Sequence, residues 1–313
     1  MSVILASLAT VLHVVLCFAG APLLWGVVGK LHARMLGRAG PPIKQPYIRL
    51  SKLLRKVTLV PDTSTDMFTF WPLVAFLAFA VAIMLIPSFC VGMLTASASD
   101  YVTIVALFTL GRAAIALGGL ETGSAFGGAS FVRLALPGLF VEATLLVLLL
   151  VFASLAGNTN LNAMIQAFGS RQISVFVSMG FALVAMLVVA LTDVRYKPAR
   201  DYELAMAEEA MELEYSARLL AQLQYARMLR LLAWMNLLSC LFLPFGMARA
   251  AAILSWPEGI LLWAVKLLCL SLGLAVFSAV HIQTRLLRLP EILGVAFCLA
   301  IVGSLLLVVK GVG

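Results

Sequence analysis

Charge, histidine and closely spaced cysteine are what this sequence has little of. Only 12% of its 313 residues are charged, whereas a soluble domain carries about 25%. A chain 63% hydrophobic, with a mean hydropathy of +1.08, cannot cover a water-facing surface, so its solvent is lipid. The three histidines (His13, His32, His281) are far apart, and the cysteines (Cys17, Cys90, Cys240, Cys269, Cys298) form no CxxC pair. That spacing argues against a structural zinc site or an iron–sulfur cluster. His13 and Cys17 share a helix face, but two ligands make no metal site, and packing is the expected role. Internal repeats and low-complexity tracts are missing, which weakens an inverted-repeat transporter reading. The N-terminal apolar run has no basic n-region and continues past Ala19-Gly20-Ala21, so it is expected to be a first span rather than a cleaved signal.

What is there is a series of apolar runs. A membrane helix needs about 20 such residues, which places spans near 3–29, 67–90, 101–119, 131–156, 173–193, 229–250, 258–280 and 291–310. The expected fold is all-α, a polytopic membrane protein of about eight transmembrane helices forming a single integral membrane domain over 1–313. Two longer polar stretches, 30–65 and 194–228, separate the runs. Seventeen of the 22 Lys and Arg residues lie in or beside the odd-numbered loops. Positive loops stay in the cytoplasm, so both termini are expected on the outer (periplasmic) side. The net charge of +8 is thereby explained by topology, and no nucleic-acid partner is implied. Residues 201–215 are rich in helix formers and acids, a solvated helix or a docking surface for a basic partner.

Three charges fall inside spans, where each costs about 2.5–3.5 kcal/mol on insertion scales. Counting at 1.5 Å per residue, Arg112 lies about 16 Å from the outer end of its span, Glu142 about 16 Å from the inner end of the next, and Lys266 about 12 Å from the outer end of the seventh. Similar depth allows a buried polar network of Arg112, Glu142 and Lys266, either a proton relay or a structural ion pair. Arg133 and Glu142 are nine residues apart, on opposite faces of one helix, and are not expected to pair. Asp193 ends the fifth span, where an acid is cheap. The Gly118–Gly128 stretch lacks a GKS/GKT ending and reads as a tight cytoplasmic connection, not a phosphate loop.

The segment Arg38-x-Gly40-Pro41-x-x-x-Gln45-x-Tyr47, followed by Lys52-Leu-Leu-Arg-Lys56, resembles the first cytoplasmic loop of the subunit-1 (H-chain) family of respiratory complex I. Within that family the chain is most similar to the membrane subunits of formate hydrogenlyases and group 4 hydrogenases. Gly119-Leu-Glu-Thr-Gly-Ser-Ala-Phe126, Arg133 with Glu142, Ala156-Gly-Asn-Thr-Asn160, Val265-Lys266 and Glu212-Leu-Glu-Tyr-Ser216 carry the same resemblance. It implies an anchoring and coupling subunit in a bacterial cytoplasmic (inner) membrane, not a site of redox chemistry. The implied partners are a hydrogenase-like large subunit and an iron–sulfur small subunit on the cytoplasmic side, and antiporter-like membrane subunits beside it. Nickel–iron and iron–sulfur centres would belong to those partners. No cofactor is assigned to this chain, with quinone the open candidate. By resemblance, Arg38, Gly40, Pro41, Gln45, Tyr47, Lys52, Glu212 and Glu214 face the peripheral arm, and Arg112, Glu142, Lys266, Asp193 and Arg133 form the buried polar set. The sequence departs from the family at Asp193-Val-Arg-Tyr-Lys-Pro198-Ala-Arg-Asp201, at Ser278 after Phe277 and at Gln283, losing charges linked to coupling. The alternatives are a quinone-site subunit and a stand-alone ion transporter.

Overall fold

The computed structural model describes residues 2–61, 64–169, 177–194, 211–280 and 289–311. Among them run α1 (Ser2–Met35), α2 (Gln45–Leu54), α3 (Met67–Leu85), α4 (Tyr101–Leu120), α5 (Ala125–Ala156), α6 (Leu161–Gly169), α7 (Val177–Val194), α8 (Ala217–Phe242), α9 (Trp256–Val280) and α10 (Leu289–Gly311). The protein is an all-helical polytopic membrane protein. Seven of these helices, α1, α3, α4, α5, α7, α9 and α10, are long and apolar enough to cross a bilayer.

The eighth expected segment is α8, and its difference from the others has a physical cause. It packs against α1, α2, α3, α6, α7 and α9, and every residue from Met228 to Leu241 is buried. A helix surrounded by protein has no lipid-facing surface to keep apolar. It can therefore carry Arg227, Arg230 and Asn236 where the outer helices expose leucines such as Leu139 and Leu261.

Two expected spans overshoot. The segment expected at 67–90 stops being helical at Leu85, and the one expected at 229–250 stops at Phe242. In both cases a proline follows, Pro87 or Pro244, and the residue before a proline is pushed out of the helical region. Ile86 is extended (φ −81, ψ 116), and Leu243 leaves the helix (φ −125, ψ 57). The chain beyond each stop supplies one strand of a short parallel pair, β1 (Cys90–Val91) with β2 (Ala248–Arg249). Nearby, Leu161 N–H donates to Ser99 O (2.8 Å) and Tyr101 N–H to Thr159 O (3.1 Å). The second, fourth and sixth connections thus gather at one end of the bundle.

The first, third and fifth connections gather at the other. Ser124 caps α5 by accepting from Gly127 N–H and donates to Glu214 Oε1 (2.5 Å). Ser216 Oγ donates to Leu59 O (2.9 Å), and Thr65 Oγ1 donates to Glu121 Oε2 (2.5 Å). Within the Gly118–Gly128 stretch, residues 121–124 make a tight α4–α5 turn around Gly123, and the rest closes α4 or opens α5. Between the two ends, α3 and α4 approach closely because Gly111 has no side chain: a Cβ there would lie 2.6 Å from the Phe79 ring.

Candidate functional site

Arg112 on α4 is the hub of the buried charges. One terminal nitrogen lies 3.4 Å from Asp193 Oδ1 on α7, the other 3.5 Å from Glu142 Oε1 on α5. Asp193 is 5% exposed, and its second oxygen accepts a 2.6 Å hydrogen bond from the indole N–H of Trp234 on α8. The cluster therefore draws on four helices. Glu142 differs in being 31% exposed. It lines a cavity of about 340 Å³ between α4, α5, α7, α8 and α10, whose charged wall residues are Arg112, Glu142, Asp193 and Arg230. The rest of the wall is mostly apolar, including Phe131, Pro137, Leu139 and Leu293.

Of the residues expected here, the structure brings together Arg112, Glu142 and Asp193. Lys266 is elsewhere. Its Nζ donates to Leu243 O (2.6 Å) and Phe245 O (2.5 Å) and lies 4.4 Å from the centre of the Phe245 ring. Those carbonyls sit just past the end of α8, where a cation complements the negative helix terminus. Similar depth did not mean a shared face. Arg133 is absent from the cavity wall, as expected for a residue on the opposite side of α5 from Glu142. Trp234 and Arg230 are the residues sequence reasoning missed. An indole donor gives no charge signal, and Arg230 counts in the sequence as a loop cation, although it is 2% exposed and stands 5.8 Å over the Phe79 ring.

A second buried cluster lies toward the opposite end. His13 Nε2 faces Ile83 O (3.1 Å), so that nitrogen carries the hydrogen, and Nδ1 accepts from Ser88 Oγ (2.6 Å). Cys17 Sγ is 3.6 Å from Nδ1 and receives Asn236 Nδ2 at 3.8 Å, while Trp263 Nε1 donates to Asn236 Oδ1 (2.9 Å). His13 and Cys17 hold α1 to the chain after α3 and to α8, a packing role. Among the described residues no group of three or more His, Cys, Asp or Glu is placed to hold a metal.

The residues expected to face a peripheral arm divide. Arg38, Gly40, Pro41, Gln45, Tyr47 and Lys52 are all exposed. Gly40 has φ +70, and a Cβ there would meet the Ala33 Cβ at 2.8 Å, so glycine lets the chain fold back onto α1. Tyr47 anchors α2 by donating from its hydroxyl to Ala19 O. Glu212 and Glu214 are instead engaged within the chain, Glu212 with Arg227 at 3.0 Å and Glu214 with Ser124. Between them and α8, Tyr215 stacks on Phe68 (4.3 Å between ring centres) and donates to Gly118 O (3.0 Å). Burial, with Glu121 and Glu214 nearby, pushes its phenol well above the usual range, so it stays a donor. The acids Asp201, Glu203, Glu208 and Glu209, with Gln283 and Arg285, lie outside the described residues.

A bundle of seven membrane-length apolar helices, holding an ion cluster beside a cavity, defines a multi-pass membrane protein. The chain belongs to the NADH dehydrogenase family, whose model matches residues 7–309, within the complex I H-subunit group. It is similar to hydrogenase-4 component C of Escherichia coli (strain K12), 29% identical over 287 residues covering 89% of each chain. It is also similar to formate hydrogenlyase subunit 4 of the same organism, 28% identical over 284 residues covering 90% of this chain and 92% of that one. In fold it matches a chain in the structure of the membrane-bound sulfane sulfur reductase, an archaeal respiratory membrane complex. That match has a TM-score of 0.83 at 18% identity and covers 98% of this chain and 100% of the other.

Proposed function

We propose that this chain is the anchoring and coupling membrane subunit of a complex I-like, hydrogenase-type oxidoreductase complex. One relative is named as a component of hydrogenase-4 and the other as a subunit of formate hydrogenlyase. In this reading the first, third and fifth connections face the cytoplasm of a bacterial cell, both termini lie outside, and antiporter-like membrane subunits flank the bundle. The Arg112–Glu142–Asp193 cluster contributes to proton translocation, with Glu142 the coupling acid.

One observation carries the docking role. From Met1 to Pro61 there is no acidic residue, and Arg34, Arg38, Lys44, Arg49, Lys52 and Arg55 are all exposed. Exposed large apolar residues, Ile48, Leu54 and Val57 among them, share this surface. An all-cationic surface with apolar anchors suits an acidic protein partner, where like-charge reversal disrupts association. The partners expected there are a hydrogenase-like large subunit and an iron–sulfur small subunit carrying the metal centres. Purification of the tagged chain from its native membrane should bring these subunits along. The double variant Arg38→Glu with Lys52→Glu should release them while the chain stays in the membrane; retention of the arm would refute the docking reading.

A second reading, a quinone-site subunit, is supported by the largely apolar cavity beside Arg112, whose size falls in the range of about 300–1,000 Å³ usual for small-ligand sites. Bound quinone in the purified complex would favour it.

A further inference from the structure

We propose that the two acids around Arg112 have different tasks: Asp193 is a permanent counter-ion held by Trp234, a positioning residue, and Glu142 exchanges a proton with the cavity. This rests on the coupling role proposed above and divides it between named atoms.

The division follows from which oxygens already have donors. Asp193 Oδ1 faces a guanidinium nitrogen of Arg112, and Oδ2 faces the Trp234 indole N–H. An indole N–H and a guanidinium can only donate. Asp193 therefore meets a donor at each oxygen, the arrangement of a held counter-ion. Glu142 meets Arg112 through Oε1 alone, and its Oε2 has no hydrogen-bond partner among the described residues. The side chain is on the cavity wall and six times as exposed as Asp193, 31% against 5%.

Charge balance agrees with the geometry. When Glu142 takes a proton at Oε2, Arg112 keeps Asp193, and no isolated charge is left in the membrane interior. When Glu142 releases it, the second carboxylate shares the same guanidinium, with the Arg230 guanidinium also on the cavity wall. The charged groups facing Glu142 are thus Arg112 from α4, Asp193 from α7 and Arg230 from α8, while α10 contributes Leu289 and Leu293. Protonating Asp193 instead would place a hydroxyl where one carboxylate oxygen now accepts from Arg112 or Trp234. Both acids border the cavity, but Asp193 is the nearly enclosed one, engaged at both oxygens, and Glu142 is the exposed one, engaged at one.

The test uses the intact complex in native membranes and a hydrophobic carbodiimide, which modifies carboxyl groups that hold a proton and can be reached from an apolar phase. Peptide mapping by mass spectrometry should find the label on Glu142 and none on Asp193. In W234F, labelling should appear at Asp193 while Glu142 remains labelled. A purely structural role for Trp234 would lower the amount of chain without changing which acid is labelled. Equal labelling of the two acids in the unsubstituted complex, or none at Glu142 at any pH, would overturn the proposal even where W234F does not accumulate. E142Q separates it from the coupling role. Unchanged proton movement in E142Q, alongside Glu142-selective labelling, removes the coupling reading and leaves the division of tasks intact.

Discussion

The two buried polar clusters are built on opposite principles. In the His13–Ser88–Cys17–Asn236–Trp263 cluster, all members are buried and each is engaged by another member. In the Arg112–Asp193–Glu142–Trp234 cluster, three members are ionisable and one acid is well exposed to a cavity. A closed, satisfied network rigidifies the helices it joins. An open charged one retains a group that can change state. Inside a membrane, the presence of a polar group therefore says less than whether its last lone pair is taken.

Three substitutions can break or sharpen this contrast, each read as thermal stability of the purified complex and as the amount of chain in the membrane. Asp193→Ala should be the most damaging, by about 3–5 kcal/mol, because it strips Arg112 of its buried partner and leaves Trp234 without an acceptor. If Asp193→Ala were tolerated, the charged cluster would not depend on a fixed counter-ion. His13→Ala should cost about 2–3 kcal/mol, from two lost hydrogen bonds and the void left behind. A near-neutral result would show that the His13 cluster does not hold the helices. Lys266→Met should have the smallest effect, about 1–2 kcal/mol, since it only uncaps two carbonyls past α8. An effect of Lys266→Met as large as that of Asp193→Ala would return Lys266 to the charged network from which the geometry separates it.

Much of the architecture was legible before any coordinates. The apolar runs located the helices, and the tight turn within Gly118–Gly128 and the basic loop after α1 stand where composition placed them. The candidate site was legible only in part. Arg112 and Glu142 were identifiable because a charge within an apolar run is conspicuous. Asp193 looked unremarkable at a helix end, yet it is the better-held partner of Arg112. Glu212 and Glu214 looked like partner-facing acids, yet they close on Arg227 and Ser124. Nothing local distinguishes a carboxylate that faces outward from one that pairs with a residue far along the chain.

By itself, then, the sequence determined that the chain lives in lipid, where its helices run, and which connections share an end. Lipid offers no hydrogen bonds to the backbone, so apolar runs of sufficient length must be helical, and that constraint is local. Tertiary structure decided which charges meet. A depth along each helix can be counted from its ends, but each residue also turns about 100° around the axis, so an error of two residues in a boundary moves a side chain to another face. Arg112 and Lys266 look alike in depth and differ in direction. Packing around α8, a helix enclosed by protein, turned Arg112 toward Asp193 and Glu142 and left Lys266 to cap the end of α8 itself.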